Sequence, residues 1–127
     1  MIARDLMTPN PTTLTPQASI ADAWDLMREL EIRHVPVVQD GTLVGMLSDR
    51  DLARLDIARM LGMSIVNVMS SDVIAVEPET ELSEVVDLLI EHKVGALPVI
   101  ESDTREVVGI VSYIDVLRAV QDRLEEE

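Results

Sequence analysis

Residues 44–52 read Val44-Gly45-Met46-Leu47-Ser48-Asp49-Arg50-Asp51-Leu52, and residues 108–116 read Val108-Gly109-Ile110-Val111-Ser112-Tyr113-Ile114-Asp115-Val116. Each begins as a short apolar run of strand character and ends in Ser-x-x-Asp before a new apolar series. A serine followed three residues later by an acid, ahead of an apolar run, is the signature of a helix start. Both stretches therefore predict a strand running into a helix, with Ser48 and Ser112 as caps and Asp51 and Asp115 at the third helical position.

Working outward, the similarity extends along almost the whole chain. With a shift of 62, Met7 falls on Met69, Pro16 on Pro78, Asp25-Leu26 on Asp87-Leu88, Glu29 on Glu91 and Pro36-Val37 on Pro98-Val99. The second copy then holds two extra residues within 103–106, and the shift becomes 64. Val44-Gly45 falls on Val108-Gly109, Ser48 on Ser112, Asp51 on Asp115 and Arg54 on Arg118. A fixed internal period marks a duplicated structural unit. The copies divide as residues 1–63 and 64–127.

Each copy reads as β-α-β-β-α. Thr12–Thr15 and Val73–Val76 are short extended pieces. Ile20, Ala23, Trp24, Met27 and Leu30 share one helical face, as do Leu82, Val85, Val86 and Leu89. Val35–Val38 and Leu43–Leu47 form a hairpin across Asp40-Gly41, a dipeptide suited to a tight two-residue turn. Their twins are Leu97–Ile100 and Val107–Val111. Closing helices are expected at about Asp49–Leu61 and Tyr113–Leu124. The expected fold class is α+β, an α/β sandwich of two such units packed about a pseudo-twofold axis.

Composition excludes several functions. The 127 residues carry 10 basic and 24 acidic side chains, a net charge of −14, which disfavours nucleic acid and anionic membrane. One Trp, one Tyr and no Phe leave little to stack on bases. Without cysteine there is no disulfide, thiolate metal site or Cys nucleophile. No P-loop, Gly-x-Ser-x-Gly or HExxH motif is present, and His34 and His92 make no triad or metal cluster, so no catalysis is expected. No signal peptide or membrane-spanning run is evident, and a soluble, cytoplasmic protein is expected.

Two repeated places could bind a ligand. Ser48 and Asp51, with Ser112 and Asp115, read structurally as capping boxes. The same geometry suits phosphate at the free N–H groups and ribose hydroxyls at the Asp. The loop Ile32-Arg33-His34 before a buried strand could meet phosphate, but its twin is Val94-Gly95-Ala96. Any phosphate grip is therefore asymmetric.

In these residues the chain resembles the cystathionine-β-synthase-type (CBS) domain family, as a tandem pair or Bateman module. Met7-Thr8-Pro9, Arg33-His34-Val35-Pro36-Val37-Val38 with Asp40-Gly41, the two opening stretches, Val68-Met69-Ser70 and Gly95-Ala96-Leu97-Pro98-Val99-Ile100 carry the resemblance. It implies a regulatory module that binds AMP, ADP, ATP or S-adenosylmethionine in clefts between the copies, with no cofactor required. By residue, it implies that Asp51 and Asp115 hold ribose, with Ser48 and Ser112 near phosphate or ribose. Arg33 and His34 contact phosphate. Thr12, Thr13, Ile74, Ala75, Val44 and Val108 lie against adenine. Asp51 is expected to work with the Ile74 region and Asp115 with the Thr12 region.

Residues 1–63 hold 6 basic and 9 acidic side chains, residues 64–127 hold 4 and 15. A polyphosphate should prefer the site of Arg33, His34 and Arg50. The Asp115 site should be weak or favour a ligand of little negative charge. Mg²⁺ accompanying ATP is an option at Asp49 and Asp51, although an exposed helix start is the preferred reading of that pair. The closing helices carry Leu52, Leu55, Ile57, Met60, Leu61, Met63, Val116, Leu117, Val120 and Leu124, more apolar surface than one stripe needs, which serves either the core between the two copies or another chain, and the resemblance implies a homodimer through these helices. An effector protein would act in trans. The alternative is a dimerisation or protein-interaction module that binds no ligand. The acidic tail 125–127 is expected to be solvated.

Overall fold

A computed structural model describes residues 1–126, with all side chains except those of Ile57 and Arg59. Glu127, the last residue of the acidic tail, and the Ile57 side chain therefore lie outside the described residues. The elements are α1 (Ala3–Leu6), β1 (Thr8–Pro9), α2 (Ile20–Leu30), β2 (His34–Gln39), β3 (Thr42–Ser48), α3 (Asp49–Ala53), α4 (Ile57–Met60), a 3-10 turn at Ile65–Asn67, α5 (Leu82–His92), β4 (Ala96–Ile100), β5 (Val107–Ser112) and α6 (Tyr113–Glu125). The class is α+β.

These elements form two compact units, one of residues 12–73 and the other of residues 1–11 with 74–127. The sequence repeat divides instead at 63/64. The leading arm of each copy thus completes the unit built on the body of the other copy.

In the 12–73 unit, Ser19 caps α2 by accepting a 3.0 Å hydrogen bond from the Asp22 N–H, and the helix ends at Glu31 in the left-handed region. Ile20, Ala23 and Met27 face inward, as the helical spacing predicts. β2 and β3 pair antiparallel across Asp40 (φ 52°) and Gly41 (φ 79°). Two successive positive φ values are what a twist-compatible two-residue hairpin turn needs. Leu14 bridges Val37 on one side and Ser70 bridges Met46 on the other. The core joins Ile20, Ala23, Met27, Val35, Val37, Leu47, Leu52 and Ile65.

The other unit repeats this plan. α5 buries Val85 and Leu89. β4 and β5 pair antiparallel, Val76 bridges Val99, and β1 adds to β5 with Thr8 opposite Ile110. Its core includes Ala3, Leu6, Val85, Leu97, Val99, Val111 and Val116. The Ala3 and Arg4 N–H groups donate to the carbonyls of Thr80 and Pro78, tying the first residues to the start of α5.

Two expectations are corrected. Leu30, expected on the apolar face of α2, is exposed in its last turn. The single helix over Asp49–Leu61 is two short ones, α3 and α4. Leu55 N–H bonds the Leu52 carbonyl at 3.1 Å, tightening the chain after Ala53, and Met60 N–H then bonds the Asp56 carbonyl at 3.1 Å. Asp is a good residue to start a helix, so Asp56 restarts one where continuation was expected. Its twin position is Val120, and α6 runs unbroken. The apolar residues of these helices also divide. Leu52 and Val116 are buried, and Leu55, Met60 and Met63 pack on the core of the 12–73 unit. Leu61, Leu117, Val120 and Leu124 are exposed.

Gly45 is required for close approach rather than for its φ. A Cβ there would lie 2.6 Å from Met69 Sδ and 3.0 Å from the Ser70 carbonyl. Met69 can move, but Ser70 is held by reciprocal 2.9 Å bonds with Met46. Gly109 is covered by Met7 in the same way.

Gly45→Ala should lower stability by about 1–3 kcal/mol, seen as a lower urea midpoint with unchanged slope. Fragment 12–73 should be more helical and unfold more sharply in urea than fragment 1–63. The latter lacks Ile65, which is 0% exposed in the core.

Candidate functional site

Both Ser-x-x-Asp stretches lie at the open end of a hairpin. In the 12–73 unit β2 begins at His34 and β3 ends at Ser48, and these residues are direct partners in the ladder. The Asp49 N–H donates to the Arg33 carbonyl at 2.9 Å, fixing the preceding loop against the start of α3. The Ser48 N–H donates to Asp51 Oδ2 at 2.9 Å, and the Asp51 N–H donates to Ser48 Oγ at 3.2 Å. Arg33, His34, Ser48, Asp49, Arg50 and Asp51 thus gather at one corner.

The other unit builds the same corner. Ala96 is opposite Ser112, and the Tyr113 N–H donates to the Gly95 carbonyl at 3.0 Å. The Ser112 N–H donates to Asp115 Oδ2 at 2.8 Å, and the Asp115 N–H donates to Ser112 Oγ at 3.3 Å. The Ser112 hydroxyl donates to Asp115 Oδ2 at 3.1 Å. Capping is therefore a role of all four residues. It engages one oxygen of each carboxylate, while Oδ1 of Asp51 and of Asp115 has no hydrogen-bond partner among the described residues. Both aspartates are half-buried, so that oxygen can accept from a bound hydroxyl.

The remaining expected residues are placed as follows. Val44 and Val108 sit at the bulge of each hairpin, where the register shifts, half-buried against their cores. Thr12 is exposed and Thr13 half-buried in the unit that carries Asp51. Ile74 and Ala75 are half-buried in the unit that carries Asp115. The expected partnerships of Asp51 with Ile74 and of Asp115 with Thr12 thus join residues of different units.

Arg33 and Arg50 are exposed and form no ion pair among the described residues. His34 is half-buried. Burial lowers its pKa below the ordinary 6.5, opposed by the carboxylates of Asp49 and Asp51 and assisted by Arg33 and Arg50. The imidazole is neutral at pH 7, so it offers a phosphate a hydrogen bond rather than a charge. Among the described residues no three His, Asp or Glu gather as metal ligands. No described helix is long and apolar enough to cross a membrane.

The CBS domain model matches residues 3–58 and 65–122, spanning both copies. The chain belongs to the CBS-domain family. As a CBS pair it is 33% identical over 114 residues to the CBS domain-containing protein YhcV of Bacillus subtilis, covering 88% of this chain and 80% of that one. It is 32% identical to inosine-5′-monophosphate dehydrogenase of Staphylococcus aureus over 88% of this chain, but spans only 23% of that enzyme. Among solved structures, CBSX2 in complex with AMP (a protein of Arabidopsis thaliana) has a TM-score of 0.86 at 33% identity, covering 95% of this chain and 96% of that one. The CBS domain pair of protein MJ0100, in complex with 5′-methylthioadenosine and S-adenosyl-L-methionine, has a TM-score of 0.88 at 26% identity, covering 97% and 98%.

A histidine whose folded pKa is depressed binds its proton more readily in the unfolded chain. Its stabilising contribution is complete above about pH 6.5 and is lost as pH falls toward the folded value. His34→Gln should remove that component. The stability difference between parent and variant, followed by thermal unfolding from pH 7.5 to 5.5, should change across this window.

Proposed function

We propose that this CBS pair is a non-catalytic regulatory module that senses an adenosine-containing ligand. The observation that carries the reading is the half-buried Asp51 carboxylate. One oxygen is committed to the cap and the other has no partner among the described residues, at a corner that also holds two guanidiniums forming no ion pair among those residues. The free oxygen accepts ribose hydroxyls. Arg33 and Arg50 meet phosphate through charge-assisted hydrogen bonds. Val44 and Thr13, with their counterparts Val108 and Ala75, offer half-buried surface to the base. AMP in CBSX2 and the two adenosine compounds in the MJ0100 pair support the same ligand class. The regulatory consequence is a population shift: a ligand stabilises the arrangement of the module it binds better, and a protein in trans reads the change.

A second reading, an interaction surface, has its own support. Ile90 is 70% exposed, Leu124 63% and Leu117 57%. A groove of about 750 Å³ beside Leu124 is lined by Met1, Ile2, Leu82, Val120 and Arg123. We propose that the exposed apolar face of α6 beside this groove serves homodimerisation, a role compatible with ligand sensing at the corners.

Thermal shift with AMP, ADP, ATP with and without Mg²⁺, S-adenosylmethionine and a GMP control tests the sensor. A true ligand at a hundred times its Kd should add about 2.7 kcal/mol of stability, a shift of several degrees. Asp51→Ala should lose stability of about 1 kcal/mol as a cap and also weaken the ligand response. Loss of stability with an unchanged ligand response would leave Asp51 a cap alone.

A further inference from the structure

The two corners share one backbone and differ in what they display. Partner residues in the ladders correspond, His34 with Ser48 and Ala96 with Ser112. The loop ties correspond, Asp49 N–H to Arg33 carbonyl and Tyr113 N–H to Gly95 carbonyl, at 2.9 and 3.0 Å. The caps correspond at 2.9 and 2.8 Å. Side chains at matched positions therefore occupy matched places. Arg33 answers to Gly95, His34 to Ala96, Asp49 to Tyr113 and Arg50 to Ile114.

The Asp51 corner holds the Arg33 and Arg50 guanidiniums and the Asp49 and Asp51 carboxylates, all near enough to His34 to act on it electrostatically. At the matched positions of the Asp115 corner there is no basic side chain and no imidazole. Gly95 and Ala96 stand where Arg33 and His34 stand, exposed Ile114 replaces Arg50, and exposed Tyr113 replaces Asp49. The surroundings reinforce the contrast. The 12–73 unit has 5 basic and 9 acidic residues, net −4, and the other has 5 and 15, net −10. A phosphate beside Asp115 would meet like charge and apolar surface with no counter-cation, an unfavourable setting for an anion. An apolar 5′ substituent would cover surface that is otherwise wet.

Resting on the adenosine reading above, we infer that the corners divide ligands by charge. The Asp51 corner takes a phosphorylated adenosine. The Asp115 corner takes an adenosine whose 5′ substituent is apolar and not anionic, such as a thioether. Arg50 and Ile114 are the specificity-determining pair, with Arg33 and Gly95 in support.

A reciprocal exchange at one exposed position tests this on the full chain. Parent, Arg50→Ile and Ile114→Arg are titrated calorimetrically with AMP and with 5′-methylthioadenosine, each alone and each in the presence of the other. The parent should bind both without competition. Arg50→Ile should weaken AMP roughly tenfold, the loss of one charged hydrogen bond, and leave the thioether unchanged. Ile114→Arg should weaken the thioether and create a second AMP site. Displacement of one compound by the other in the parent, or unchanged AMP affinity in Arg50→Ile, overturns the division while leaving the sensor reading in place. If neither compound binds the parent, the division falls; if none of the adenosine compounds of the thermal-shift panel binds either, the sensor reading falls with it. Equal unfolding temperatures of the three unliganded proteins would show that the exchange leaves the fold intact.

Discussion

A serine hydroxyl and an aspartate carboxylate, each bonded to the other's backbone N–H, turn each hairpin into its closing helix. The rest of each unit depends on this pair. It sets where the strand stops, which residue of the loop lies opposite, and which helical face carries Leu52 or Val116 into the core. It also confines each aspartate to one geometry, with Oδ2 committed. A side chain already ordered by a cap has little rotamer freedom left to lose when a ligand arrives, which favours binding. Structural and ligand-holding roles are thus complementary at Asp51 and Asp115.

Much of this was readable from residues. The Asp40-Gly41 turn, the stripes on α2 and α5 and the two capping boxes all follow from local chemistry, and local chemistry is what a sequence displays directly. The break after Ala53 was also local, signalled by Asp56, but the apolar residues recurring on both sides of it from Leu52 to Met63 masked it. The ownership of the leading arms was not readable. Ala3 and Leu6 match Ile65 and Val68 in spacing and hydropathy, and nothing in those residues tells which hairpin they will cover. That choice is made by tertiary burial.

The corners show the same limit in another form. The replacement of Arg33-His34 by Gly95-Ala96 is visible in the chain. The lowered pKa of His34 is not, because its largest cause is burial at the end of β2. The ladder registers and loop ties turn an alignment of letters into an alignment of places. Only then do Tyr113 and Ile114 become substitutes for Asp49 and Arg50 rather than neighbours in a list.

The exchange of arms bears on how the chain is made. Residues 1–11 leave the ribosome before residues 12–73, yet they belong with strands and helices from residue 74 onward. The 12–73 unit has all its parts as soon as Val73 has emerged and can close while synthesis continues. The amino-terminal arm must meanwhile stay uncommitted, with Ala3 and Leu6 exposed, until Leu97, Val111 and Val116 follow. Contacts across so long a span close late, because loop entropy is spent before they reward it. A segment made before the 12–73 unit is then among the last to find its place.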